Sequence, residues 1–119
     1  MDLVEKLAEA VLERDSLRAR SLVQDLVRSH VNLATYPVPG PAVHRRVRTM
    51  AAAILELLAE RQGVSAPSWV HDGERFPEPT YVTEMSLKLP RHAERCRRES
   101  PSPLAKRNIY APADFLTYA

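Results

Sequence analysis

Glycine and cysteine are scarce in this chain. Three glycines in 119 residues leave little material for two-residue hairpins, phosphate-cradling loops or turns that require positive φ. A single cysteine, Cys96, excludes an internal disulfide and makes a reducing compartment the simplest reading. Long apolar runs are missing as well. The longest, Met50 to Leu55, falls far short of the roughly 20 residues a membrane-spanning helix needs. The opening Met-Asp-Leu-Val-Glu-Lys interrupts each apolar pair with charge, so no secretory leader is expected. Neither sign of charge dominates. Seventeen basic against fifteen acidic residues give a net charge of +2, too little for a dedicated nucleic-acid binder on charge alone. These absences predict a cytoplasmic, bacterial-type chain of one domain, with no membrane association.

Proline is plentiful, at ten residues, and it punctuates the chain. Ahead of the first proline, Leu3, Val4, Leu7, Ala8, Val11 and Leu12 form one helical stripe. Asp2 with Glu5 makes a capping-box-like start. Asp15 is a good N-cap for a second helix from Ser16 to His30, with Leu22, Val23, Leu26 and Val27 as its apolar face. Two helices joined so closely predict a helical hairpin over residues 1–33. Tyr36-Pro-Val-Pro-Gly-Pro41 is a stiff connector that no helix crosses. Residues 42–62 predict the strongest helix, with Val43, Val47, Met50, Ala51, Ile54, Leu55, Leu58 and Ala59 at three- and four-residue spacing and Gly63 as its stop. Arg45, Arg46 and Arg48 sit at the helix end that disfavours cations. Residues 64–83 read as an irregular loop pinned by Trp69, Phe76 and Tyr81, with Tyr81-Val82-Thr83 as a strand lacking a partner. Pro90 opens a helix to Glu99, Ser102-Pro103 a single turn, and Pro112 a last turn. The expected fold is all-α: a small helical bundle with an N-terminal hairpin, one long central helix and a basic, proline-braced C-terminal segment over residues 88–119.

The chemistry of a catalytic or metal site is not announced. His30, His44, His71 and His92 lie far apart without metal-ligand spacing. Asp72 and Glu74 flank Gly73 in what reads as a solvated turn. Cys96 lies among Arg95, Arg97 and Arg98, which could lower a thiol pKa, yet a small buried residue is the commoner role of a lone cysteine. No nucleophile elbow occurs. The expectation is a protein that is not an enzyme and needs no cofactor and no metal.

Two features point to binding instead. The tail, Ser100 to Ala119, carries Tyr110, Phe115, Leu116 and Tyr118, more apolar surface than disordered tails hold. Residues 88–108 hold seven Lys/Arg (Lys88, Arg91, Arg95, Arg97, Arg98, Lys106, Arg107) against Glu94 and Glu99. Arg91, Arg95 and Arg98 fall on one helical stripe that suits phosphates or an acidic partner; a solvated face is the plain alternative. A helix-turn-helix is not supported, because the turn between the first two helices lacks glycine and the second helix carries only generic polar residues.

Glu13-Arg-Asp15, Leu57-Leu-Ala-Glu-Arg-Gln-Gly63, Pro67-Ser-Trp69-Val70 and the tail from Ser100 to Leu116 resemble a family of small uncharacterised bacterial proteins. The pattern Pro67-x-Trp69 followed by Pro101-x-x-Leu104-x-x-Arg107-Asn108 resembles the C-terminal part of some helix-turn-helix antitoxin-type proteins encoded beside nucleotidyltransferase-like toxins. The resemblance covers residues 57–116 best, and no DNA-binding domain precedes them. It implies capture of a partner protein, as the antitoxin-like or accessory member of a bacterial two-gene pair. The expected partner surface is Trp69, Arg98, Lys106, Arg107, Asn108, Tyr110, Phe115 and Tyr118, since large aromatics and arginine dominate interfaces. The alternative is a nucleic-acid-associated regulator using Arg91, Arg95, Arg98, Lys106 and Arg107. A homodimer through the apolar helix at 42–62 is compatible with either.

Overall fold

A computed structural model describes residues 2–117; Tyr118, expected at the partner surface, lies outside the described residues. The predicted all-α architecture is observed. Helix α1 runs Leu3–Leu12, α2 Ser16–Arg28, α3 Arg45–Gln62, α4 Glu84–Lys88, α5 Pro90–Glu99 and α6 Ser102–Ala105. Short 3-10 turns occupy Leu33–Thr35 and Ser68–Asp72, and two-residue strands β1 (Thr80–Tyr81) and β2 (Ile109–Tyr110) complete the order.

Asp2 caps α1 by accepting from the Glu5 amide at 2.9 Å, and Asp15 caps α2 through the Arg18 amide at 3.2 Å. Between them Arg14 turns left-handed at φ 58°. The Arg14 amide then donates to Val11 and the Asp15 amide to Ala10, so the helices fold back on one another. Helix α2 lies on the outside and has less to cover. Only Ala19, Val23 and Leu26 are buried in it, and Leu17 is 80% exposed. It ends at Arg28 rather than His30, which takes a left-handed turn.

Helix α3 is the core. It begins at Arg45, three residues later than the pattern suggested, because His44 serves as N-cap by accepting the Arg46 amide at Nδ1, 3.1 Å away. The preceding Pro41-Ala42 pair is taken up in a turn closed by Val43 donating to Gly40. Residues 49–55 and 57–59 are buried, against α1 on one side and against α6 and the Ser68–Asp72 turn on the other. The apolar face of the central helix, expected to be open to a second copy, is covered by the chain's own α1, α6 and Ser68–Asp72 turn. The three arginines at its start act as ties to the loops. Arg45 pairs with Glu74 at 3.1 Å, Arg46 lies over the Phe76 ring at 5.3 Å, and Arg48 donates to the Gly40 carbonyl at 3.2 Å.

The segment read as an irregular loop is more ordered than that. Trp69 is half-buried, and its indole N–H donates to the Tyr36 carbonyl at 2.8 Å, joining the loop to the proline connector. Burial lifts the Tyr36 hydroxyl to a pKa of about 12, so it stays protonated where it accepts from the Val4 amide. Strand β1 has a partner after all: it pairs in parallel with β2, Thr80 opposite Ile109 and Tyr81 opposite Tyr110. Both outer edges of this ribbon are blocked by side chains. Arg14 donates to the Tyr81 carbonyl at 3.0 Å, and the Ser100 hydroxyl donates to the Ile109 carbonyl at 2.9 Å, which manages unpaired edges. The tail is docked through Thr117. Leu104, Ile109, Ala111 and Leu116 are at most 2% exposed, and Arg61 at the end of α3 holds the carbonyls of Ala113 and Phe115.

Leu104→Ala is therefore expected to cost about 2–5 kcal/mol by leaving a cavity beside α3, whereas Leu87→Ala, on the surface, should stay within about 0.5 kcal/mol of the parent; urea unfolding midpoints of the two variants make the comparison.

Candidate functional site

Arg107 and Asn108, expected on the partner surface, face inward. Arg107 follows α6, and its guanidinium donates to the carbonyls of Pro103 at 2.6 Å and Val70 at 2.8 Å. Its Nη2 also lies 2.9 Å from Glu56 Oε1, a charge contact off the line of a hydrogen bond. Lys106 Nζ donates to the other Glu56 oxygen at 2.6 Å. Asn108 adopts φ 65°, donates to the Phe76 carbonyl at 3.2 Å and accepts from the Tyr110 hydroxyl at 2.9 Å. These residues satisfy backbone groups that irregular segments leave unpaired when they run through an interior. They fasten the tail to α3. Phe115 is likewise buried. The sequence signal that could have exposed this arrangement is Glu56, the lone acid among the apolar residues 50–59 of α3.

Burial pushes the Glu56 carboxyl up, but the Lys106 hydrogen bond and the Arg107 contact, with their charges, prevail and hold it below the ordinary carboxylate range. The remaining expected partner residues diverge. Trp69 and Tyr110 are half-buried and Arg98 is exposed. Tyr110 lies 5.5 Å from Tyr81, and Arg97 stacks over both rings at 5.8 and 5.9 Å. Of the residues of the nucleic-acid alternative, Lys106 and Arg107 are occupied by Glu56, while Arg91, Arg95 and Arg98 stand on the outer face of α5.

Helix α4 escaped the sequence reading and supplies what lies beside those arginines. Thr83 caps it, accepting from the Ser86 amide at 3.3 Å. A helix of five residues can turn only one or two side chains inward, and here Ser86 takes that place. Its hydroxyl meets Thr83 Oγ1 at 2.6 Å and Cys96 Sγ at 3.4 Å. Cys96 is buried and joins α5 to α4. Leu89 precedes Pro90 and is held extended. The inward position being filled by a serine, Met85, Leu87 and Leu89 point outward at 53, 59 and 52% exposure. Met85, Leu89 and Pro90 form one wall of an open groove of about 630 Å³ whose other lining is Arg91, His92 and Arg95. Arg95 pairs with Glu99 at 3.1 Å; among the described residues no acid pairs with Arg91 or Arg98. The only local signal for this site is the alternation Met85-Ser86-Leu87-Lys88-Leu89, whose two-residue period reads as a strand and not as the helix that forms.

A second, narrower cleft of about 240 Å³ lies between the α1–α2 turn, the start of α4 and the tail, with Val11, Ala19, Val82 and Phe115 among its lining. The four histidines do not converge: His44 is a helix cap and His30 and His71 are exposed. Among the described residues no group of three or more His, Cys, Asp or Glu side chains is placed to hold a metal ion, and no helix is long and apolar enough to cross a membrane. In comparisons with known proteins, no family model matches the chain, and neither does a curated protein or a solved structure.

Arg107→Ala should cost about 3–5 kcal/mol, since it strips a partly buried carboxylate and two carbonyls of their donor, while Lys106→Ala, whose side chain is 46% exposed, should cost under about 1 kcal/mol. Because the folded Glu56 pKa is depressed, its contribution is full above the ordinary glutamate value of about 4.3 and is lost as pH falls through the lower folded value. Melting curves of the parent and Glu56→Gln at a series of pH values should therefore draw together as pH falls below the ordinary glutamate value and meet only beneath the lower folded one.

Proposed function

We propose that this chain is a non-enzymatic protein-binding module whose contact surface is the α4–α5 hairpin. One observation carries the reading: two aliphatic side chains one turn apart, Met85 and Leu89, stand more than half exposed and share an open groove with Arg91 and Arg95 of the arginine stripe of α5. Contiguous exposed apolar surface rimmed by charge is the mark of an interaction site. The hairpin combines this apolar area with two guanidinium groups, Arg91 and Arg98, that form no ion pair among the described residues. Arg98 is the member of the expected partner surface that this reading keeps. The mechanism is steric: the hairpin projects from a core that does not need its outer face, and covers a surface of the partner.

The resemblance of Pro67-x-Trp69 and of the Pro101 to Asn108 segment to antitoxin-type proteins supports a specific version, in which the partner is a nucleotidyltransferase-like toxin from a bacterial two-gene pair. In this chain those motif residues shape the fold, since Trp69 ties the loop to the connector and Arg107 ties the tail to α3. The nucleic-acid reading retains Arg91, Arg95 and Arg98 but loses Lys106 and Arg107, and it gives the aliphatic row no role.

A photoreactive residue placed at Met85 in the cell should yield a discrete protein adduct, and Leu89→Ser should reduce its yield about tenfold, the loss expected from about 1.4 kcal/mol of apolar contact. Absence of a protein adduct, together with retention of DNA or RNA at about 50 mM salt that collapses by about 200 mM, overturns the proposal in favour of nucleic acid.

A further inference from the structure

Resting on that reading, we infer that the occupant of the groove is an acidic amphipathic helix of the partner, which seats two apolar side chains one turn apart against Met85 and Leu89 and lays its carboxylates along Arg91, Arg95 and Arg98. The spacing dictates the shape. Met85 and Leu89 are four residues apart, and the three arginines follow at i, i+4 and i+7. At about 1.5 Å per residue the stripe is about 10 Å long. A facing helix of two to three turns presents its own i, i+4, i+7 residues over the same length. Helix-in-groove recognition is read from such anchors.

Charge decides the sign. Arg91 and Arg98 form no ion pair among the described residues, although Glu94 stands three positions after the one and four before the other, and the Arg95–Glu99 pair is exposed on the arginine side, at 59%. An exposed pair of this kind is worth about 0–1 kcal/mol, so a better-placed carboxylate displaces Glu99 at little cost. Forked guanidinium donors match carboxylates in a bidentate manner. A second copy of this chain is the poorer occupant. Meeting face to face, two hairpins would oppose three arginines with three arginines, with Glu94 as the acid between them. An anionic bilayer also fits less well, because Glu84 and Glu94 stand exposed on the same hairpin and no aromatic side chain joins the exposed aliphatic row.

The test is a selection of randomised 16-residue helical peptides on the immobilised full chain. The expected enrichment is for Asp and Glu with two apolar residues one turn apart. Enriched peptides should bind about tenfold more weakly to Leu89→Ser and to the double variant Arg91→Glu/Arg95→Glu, and more weakly at higher salt. These residues are exposed, so the circular dichroism and melting temperature of the variants should match the parent. Enrichment of basic or uncharged peptides that still respond to Leu89→Ser overturns the acidic occupant and leaves the protein-binding reading standing. Enrichment indifferent to both variants, or none at all, overturns the inference; if the Met85 adduct is also missing, the protein-binding reading falls with it. Stronger retention on anionic vesicles or on the chain itself than on any selected peptide overturns it in favour of those occupants.

Discussion

The grip of Lys106 and Arg107 on Glu56 is the contact on which the architecture turns. A glutamate in the middle of an otherwise apolar stretch of α3 would be costly if buried alone. Answered by two cations from the tail, it becomes the point at which the last third of the chain is fixed to the core. Arg107 reaches further, to the carbonyls of Pro103 and Val70, so one guanidinium holds the tail, the Trp69 turn and α3 together. The parallel pairing of β1 and β2 follows from that placement, because Asn108, next in sequence, directs the chain into β2 and binds Phe76 across to the β1 side.

The same fastening explains why the α4–α5 hairpin is free to present its outer face. Ser86 against Cys96 holds its two helices together, and Arg97 ties it to the rest of the protein, donating to the Tyr81 hydroxyl and stacked on the Tyr81–Tyr110 pair. The core proper is built from α1, α3, the Trp69 turn and the tail. Aliphatic side chains at 85, 87 and 89 therefore have no interior to enter, and among the described residues the α5 arginines form one ion pair, Arg95 with Glu99. The position of the surface follows from the division of labour between these two parts of the chain.

Much of the fold was legible in the sequence. Helices α1, α2, α3 and α5 were marked by strong 3.6-residue periodicity or by proline, and Asp2, Asp15, Gly63 and Pro90 marked their ends as capping rules require. Helix α4 was not, because five residues hold too few turns for a period to show. The pairing of β1 with β2 was not, because two-residue strands 29 positions apart carry no local signal. The candidate surface was half legible. The stripe of Arg91, Arg95 and Arg98 was evident from spacing, but whether Arg107 and Asn108 faced water or protein depended on Glu56, some fifty residues away. A basic turn before an aromatic tail looks the same in either case.

Four residues with side chains, Arg14, His30, Asn108 and Leu116, occupy the left-handed region, where a Cβ costs about 1–2 kcal/mol unless a polar side chain eases it. Asn108 is suited to the position. The others bear torsional strain that a chain with three glycines could not relieve at every bend. The protein therefore retains unused thermal headroom at these bends, and His30, the exposed one, is where a bare α-carbon would release it with the least loss of contacts.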